Sequence, residues 1–467
     1  GCFATANRKP KQHLLVTGSI RPSELAEVLS LMSQQSTDLP PAYKPARRIA
    51  LRDFQSRPMR AFHVTWFSFF LCFFAWFAAA PLMVVIKEDL GLSQVQIGNT
   101  IIASVASTVF ARLMVGSCCD HFGPRRTYRW LMILCSFPVM GMGLVNSYES
   151  FLLVRLAVGA VGASFVITQF HTSLMFAPNC LGTATATTAA WGNLGGGVTQ
   201  LLMPLGLSLL IALGVDEAIG WRYAMVAPGL ALLIMGMLYP RLTDDTPAGH
   251  FQARLGKGRS LSVAARDPRV WCLFGLYAAC FGTELTVNNI AALYFHDNFG
   301  MGLVGAGAAA SIFGLTNVFA RSLGGYCSDR IARQRGLRGR SLFLFVVIVL
   351  EGLLLIAFSK ATALPVALTL FFVFGVLVQM AEGATFGVVV FVKRKAMGAV
   401  VGMVAAGGNV GAVLAGFMFR VEGLPWSKAL TILGVAITMT SLLALLIRFT
   451  DQEEAQIDLE FKDLESA

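Results

Sequence analysis

Charged side chains are scarce in this chain. Asp, Glu, Lys and Arg make up 13% of its 467 residues, where a soluble domain carries about 25%. That scarcity excludes one large soluble core. With 55% hydrophobic residues and a mean hydropathy of +0.66, it places the chain in a lipid bilayer. Paired metal-ligand spacings are also missing. The nine cysteines lie mostly inside apolar runs (Cys72, Cys135, Cys272, Cys280) or at run ends (Cys118, Cys119, Cys327). They read as small buried hydrophobes, and no zinc or other metal site is expected. There is no Walker or Rossmann fingerprint and no nucleophile–base constellation, so neither direct use of ATP, a cofactor nor an enzyme is implied. The net charge of +11 sits in short connecting segments. No soluble basic face with stacking aromatics is left for nucleic acid. Residues 1–60 are polar and basic and hold no apolar stretch long enough for a signal peptide. Within them Pro22-Ser23-Glu24, ahead of Leu25, Val28, Leu29 and Met32, can start a short amphipathic helix.

What the chain does have is long apolar runs. A helix crossing the hydrocarbon needs about 20 apolar residues. Twelve runs qualify, at residues 62–86, 96–118, 128–147, 151–173, 183–212, 221–240, 270–295, 302–325, 341–359, 363–391, 397–419 and 429–448. Basic clusters precede the first run (Arg47, Arg48, Arg52, Arg57, Arg60) and follow the second, sixth, eighth and tenth. All fall on one side of an even-numbered topology, which predicts that both termini are cytoplasmic. The expected organisation is a tail over 1–60, a six-helix half over 61–240, a cytoplasmic linker over 241–269, a second half over 270–448 and an acidic tail over 449–467.

The two halves repeat each other. Val109-Phe110-Ala111-Arg112 recurs as Val318-Phe319-Ala320-Arg321, each followed at equal spacings by Gly, Cys and Asp. Ala189-Ala190-Trp191-Gly192-Asn193-Leu194-Gly195 matches Ala405-Ala406-Gly407-Gly408-Asn409-Val410-Gly411, and Gly162-Ala163-Ser164-Phe165 matches Gly383-Ala384-Thr385-Phe386. Span n therefore pairs with span n+6. Two parallel six-helix halves are the repeat scheme of major facilitator transporters. The predicted fold is an all-α membrane protein of that kind, with 12 transmembrane helices in two pseudo-symmetric six-helix halves. Gly116, Asp120, Gly123, Arg125 and Arg126 after span two resemble that superfamily's signature loop. Gly325, Asp329 and Arg333 after span eight repeat it more loosely. These residues are expected to brace helix ends as the halves rock.

Arg112 lies eight residues before Asp120, about 12 Å of helix and so near the bilayer midplane, and Arg321 has the same depth. A central arginine costs about 2.5–3.5 kcal/mol on insertion scales. Neither helix holds an acidic residue beside it. Two guanidiniums from pseudo-equivalent positions can converge on one anion, and their planar forks suit a planar oxyanion. The alternative is a structural ion pair with Glu284, Glu351 or Glu382. Asn193 and Asn409 each bring an amide able to donate to an oxyanion or to bond between helices. The glycines around them point to close helix packing and backbone sliding. Tyr277 and Phe281 share a face of span seven, and Phe165 and Phe386 are repeat-related aromatics of spans four and ten.

On these stretches, over about residues 55–450, the chain resembles the nitrate/nitrite porter family of the major facilitator superfamily, in its plant and algal high-affinity form. The resemblance is carried by Ala189 to Gly197, Ala405 to Gly411 and the paired Val-Phe-Ala-Arg motifs. The short central loop and long basic N-terminal tail favour the plant or algal group. The resemblance implies a secondary active transporter of nitrate, and of nitrite, working by alternating access in the plasma membrane. It implies that Arg112 and Arg321 clamp the anion, that Asn193 contacts it, and that Phe165, Tyr277 and Phe281 wall the site with Trp76 or Phe77 of span one. It also implies a small single-span accessory protein. Moving an anion into a negative interior costs about 2.3 kcal/mol per charge per 100 mV. Uptake then needs more than one proton per nitrate, or exchange for nitrite. Glu284 is the proton-coupling candidate, and a structural partner for an arginine is the other reading of it. A nitrate sensor on a transporter scaffold is a further alternative, although the tail after span twelve is short. A carrier of another solute is a third, and paired central arginines disfavour neutral and cationic substrates.

Overall fold

Inside hydrocarbon a backbone has no water to bond, so each apolar run closes its own hydrogen bonds as a helix. The computed structural model describes residues 44–249, 258–389, 391–393, 397–450 and 453–454. The expected amphipathic helix near Pro22, part of the linker and most of the acidic tail lie outside the described residues. Twelve crossing helices follow one another: α1 (Arg57–Phe77), α2 (Gln94–Phe122), α3 (Pro124–Gly141), α4 (Tyr148–Met175), α5 (Pro178–Ala212), α6 (Glu217–Leu242), α7 (Pro268–Phe299), α8 (Leu303–Ala332), α9 (Gln334–Ser359), α10 (Leu364–Val389), α11 (Met397–Phe419) and α12 (Trp426–Leu446). Among the described residues, eleven helices are long and apolar enough to cross a membrane by themselves. The twelfth, α3, carries Arg125, Arg126 and Arg129 in its first two turns and packs along α6.

Helix packing repeats six helices on. α1 packs on α5 as α7 does on α11, and α3 packs on α6 as α9 does on α12. Between the halves α2 meets α11 and α8 meets α5. Small residues set these approaches: a Cβ added to Gly197 of α5 would lie 2.5 Å from the Gly314 carbonyl carbon of α8.

Three local features depart from regular helices. α4 passes through a 3₁₀ turn at Gly159–Ala163. α8 passes through another at Thr316–Val318, after which Phe319 stands at φ −129°. The second Val-Phe-Ala-Arg copy therefore lies at a helix break, whereas the first lies within the long α2. The expected loop between spans eight and nine is also corrected. Ala320–Ser359 runs as helix through it, interrupted only where Gly336 turns to φ +61°. Its arginines favour helix, and only the glycine takes the left-handed backbone that other residues resist.

On the face bearing the basic loops, each half ties its own helices. Gly123, at φ +81°, turns α2 into α3. The Arg125 backbone N–H donates to Asp245 at 2.9 Å, and its guanidinium donates to the Pro240 carbonyl. In the second half Arg340 pairs with Asp329 at 2.6 Å and donates to the Gly387 carbonyl of α10. Gly116 and Gly325 sit in roomier surroundings: the nearest atom to an added Cβ is on Val166 at 3.9 Å for Gly116, and none lies within 4 Å for Gly325. The side chains of Asp120 and Arg333 lie outside the described residues. The opposite face is tied across the halves, by Lys87 to Asp297 at 2.9 Å and by Gln94 to the Leu424 carbonyl at 3.3 Å.

Candidate functional site

The two repeat-related arginines are both buried, Arg112 at 6% and Arg321 at 4% exposure, yet their surroundings differ. Arg112 leaves α2 toward carbonyls. Its Nη1 donates to Ala405 of α11 at 2.9 Å, and its Nε and Nη2 make longer contacts to Gly162 of α4 at 3.4 and 3.5 Å. The 3₁₀ turn at Gly159–Ala163 presents these carbonyls sideways: Thr108 one turn earlier on α2 donates to Gly159 at 2.6 Å. The guanidinium carbon lies 5.4 Å from the Phe165 ring centre and 5.8 Å from that of Phe281. Carbonyl dipoles and π faces thus take the place of a carboxylate.

Arg321 has carboxylate partners. It pairs with Glu284 of α7 at 3.3 Å and with Glu382 of α10. Glu284 also accepts from Asn317 at 3.0 Å. The ion-pair alternative therefore describes Arg321, with partners from two other helices, and the unpaired reading describes Arg112. Glu351, the third glutamate considered, is buried with both oxygens lacking a hydrogen-bond partner and does not join this cluster. Asn193, with its amide oxygen facing Arg321, accepts from Nη1 and Nη2 at 3.0 Å each, an orientation set by the hydrogen-bond network.

The asparagines follow the repeat across the halves. Asn193 of α5 meets Arg321 of α8. Asn409 of α11 donates at 3.5 Å to Ala405, the carbonyl that Arg112 of α2 also uses. The aromatic wall is continuous. Tyr277 stacks on Phe281 at 5.1 Å with 11° between planes and meets Phe386 edge-on at 5.1 Å. The buried Tyr277 hydroxyl has no hydrogen-bond partner and lies within electrostatic reach of Arg321, Glu284 and Arg112. From α1, the ring that meets Phe165 is Phe69, at 5.9 Å. Trp76 instead donates to the Ser104 carbonyl at 2.7 Å and packs against Gly162, and Phe77 packs on Phe73 and Trp76.

Arg112, Arg321, Asn193, Phe165, Tyr277, Phe281, Glu284 and Asn409 are thus joined in one layer by direct contacts or shared partners. Several members escaped the sequence reading. The Gly162 and Ala405 acceptors are backbone atoms and leave no residue-type signal. Asn317 left one: it stands immediately before the second Val-Phe-Ala-Arg, as Thr108 does before the first. Arg155, inside the fourth apolar run, was equally visible.

A family model for the Major Facilitator Superfamily matches residues 65–416. High affinity nitrate transporter 2.5 of Arabidopsis thaliana is 41% identical, over 84% of this chain and 80% of the relative. Nitrate transporter 2.1 of Chlamydomonas reinhardtii is 36% identical, over 80% and 70%. Among solved structures, an inward-facing and occupied bacterial homologue of the human lysosomal transporter Spinster superposes with a TM-score of 0.66 at 15% identity. That match covers 84% of this chain and 97% of the other and bears on the fold alone. The chain belongs to the Major Facilitator Superfamily, a family of transporters rather than enzymes, and within it to the family of the plant and algal high-affinity nitrate transporters.

Proposed function

We propose that this chain carries nitrate, and also nitrite, across a membrane by alternating access, with the anion held between Arg112 and Arg321. The observation that carries the reading is Arg112: a buried guanidinium between the halves whose hydrogen bonds go to carbonyls. A planar oxyanion supplies the missing negative charge and fits its fork. Tyr277 offers a free hydroxyl donor, and Phe165 and Phe281 exclude water above a small ligand.

The proposed coupling ion is the proton. Two arginines face two glutamates in this layer, so with both carboxylates ionised their formal charges cancel. An anion that enters competes with Glu284 and Glu382 for Arg321. A buried carboxylate that loses its guanidinium is stranded as an unpaired charge unless it takes a proton. Two such carboxylates give room for more than one proton per nitrate, which inward movement against a negative interior requires. In this reading the basic loops and both termini face the cytoplasm, the membrane is the plasma membrane, and a single-span accessory protein assists.

Labelled nitrate uptake into oocytes expressing the full chain, with and without such a partner and at two pH values, tests the reading. Saturable uptake that rises with acidity supports it. No nitrate uptake under any of these conditions overturns it. Uptake that depends on internal nitrite and ignores pH replaces symport by exchange.

A further inference from the structure

The three helices that build the clamp carry a second polar layer on the same stripes, displaced toward the face opposite the basic loops. On α7, Tyr277, Phe281, Glu284 and Asn288 recur four, three and four residues apart and share one face. On α5, Gln200 follows Asn193 by seven residues. On α4, Arg155 precedes Gly162 by seven residues, about 10 Å of helix. Arg155 is fully buried. Its Nη2 donates to Asn289 of α7 at 2.6 Å, and its Nε and Nη1 have no hydrogen-bond partner. Asn288 is buried with both amide atoms unpartnered, and its Nδ2 lies 3.2 Å from where a Cβ on Gly196 would stand. Gln200 donates to the Asn288 carbonyl at 2.6 Å, leaving its own oxygen free.

A buried cation whose hydrogen bond goes to one neutral amide is expensive in a membrane and marks an ion path. We propose that Arg155 and the Asn288 amide form a second subsite for a small planar oxyanion, which receives nitrate before the clamp does. The inference rests on the nitrate reading above. The Arg155–Asn289 bond joins the first half to the second, so it breaks when that face opens. The entering anion then takes the place of Asn289 on the guanidinium. Closure restores the bond and drives the anion one layer inward, to Arg112 and Arg321.

Concentration-dependent uptake of labelled nitrate by the full chain, normalised to the amount at the cell surface, tests this. Arg155→Gln is expected to raise KM about tenfold while the maximal rate stays within about twofold, since a capture site acts through local anion concentration. Asn289→Ala keeps the cation and is expected to leave KM unchanged. Asn288→Leu, which leaves Arg155 in place, is expected to raise KM about threefold through the lost hydrogen bond, and it decides the matter alone if Arg155→Gln does not reach the membrane. An unchanged KM in the variants of Arg155 and Asn288 overturns the subsite. So does a rise in Asn289→Ala equal to that in Arg155→Gln, because the cross-half bond would then be the function. A wild-type chain that takes up no nitrate refutes the nitrate reading instead.

Discussion

Asn193 on α5 and Arg321 on α8 tie the two halves together at the centre of the bundle, the amide oxygen accepting from Nη1 and Nη2 at 3.0 Å each. Arg321 is also held by Glu284 and Glu382. One guanidinium therefore serves three acceptors from three helices, and any substrate anion competes with them. Asn193→Asp adds a third carboxylate to that fork. The expected outcome is at least about a tenfold loss of nitrate uptake, because a charge-assisted bidentate pair outcompetes a weakly basic oxyanion. Uptake normalised to surface protein measures it, and wild-type transport by this variant would remove Asn193 from the clamp.

Lysine keeps a charge and loses the planar fork. Arg112→Lys cannot serve Ala405 and Gly162 while facing an anion, and Arg321→Lys cannot serve Asn193, Glu284 and Glu382 together. Both variants are expected to lose about tenfold or more in uptake at saturating nitrate, the equivalent of about 1.4 kcal/mol per tenfold. Normal transport by both would show that bidentate recognition is wrong.

Removing a coupling carboxylate should separate transport from acidity. Glu284→Gln keeps the acceptor for Asn317 and removes the titrating charge beside Arg321. Uptake compared across external pH is expected to lose its pH dependence in this variant. If the full dependence persists, Glu284 has no part in coupling, and Glu382→Gln becomes the variant to compare.

The glycine contact between Gly197 and Gly314 leaves no room for a methyl group. Gly197→Ala should strain the packing of α5 on α8 by about 1–3 kcal/mol. The expected result is normal delivery to the membrane with strongly reduced uptake, since the halves no longer close at that point. Unimpaired uptake would place the rocking surface elsewhere.

Outside the membrane, Asp267, Arg269 and Glu453 link the start of α7 to the segment after α12, at 2.9 Å in each pair. Burial works to raise both acids, but hydrogen bonds and charge from Arg269 prevail and hold Asp267 and Glu453 below their usual values. Acids lowered by folding contribute stability above their ordinary range, and that stability is lost as pH falls through the lowered values. The unfolding temperature of the purified chain should therefore drop between pH 7 and about pH 4. Asp267→Asn preserves the helix cap, because Asn caps as well as Asp. It is expected to lower the midpoint at pH 7 and to shrink the acid-induced drop. An unaltered pH profile would show that the cluster contributes nothing.

Linear patterns settled much of this protein. Twelve apolar runs with basic clusters after alternate ones define the crossings, because hydrocarbon thickness and backbone hydrogen bonding act on each run separately. The repeated Val-Phe-Ala-Arg and the Asn193 and Asn409 stretches pair the halves, because a duplication survives as spacing. What spacing could not determine is which groups meet, since that depends on how each helix is rotated against neighbours far away in the chain. Packing alone brought Glu284 and Glu382 to Arg321 while leaving Arg112 to the Ala405 and Gly162 carbonyls. The 3₁₀ turn at Gly159–Ala163 aims those Gly carbonyls, and the break at Thr316–Val318 resets α8 just before Arg321. Two arginines identical in sequence context thus became one paired and one unpaired cation, because burial removes water and makes each depend on the acceptors that tertiary structure supplies.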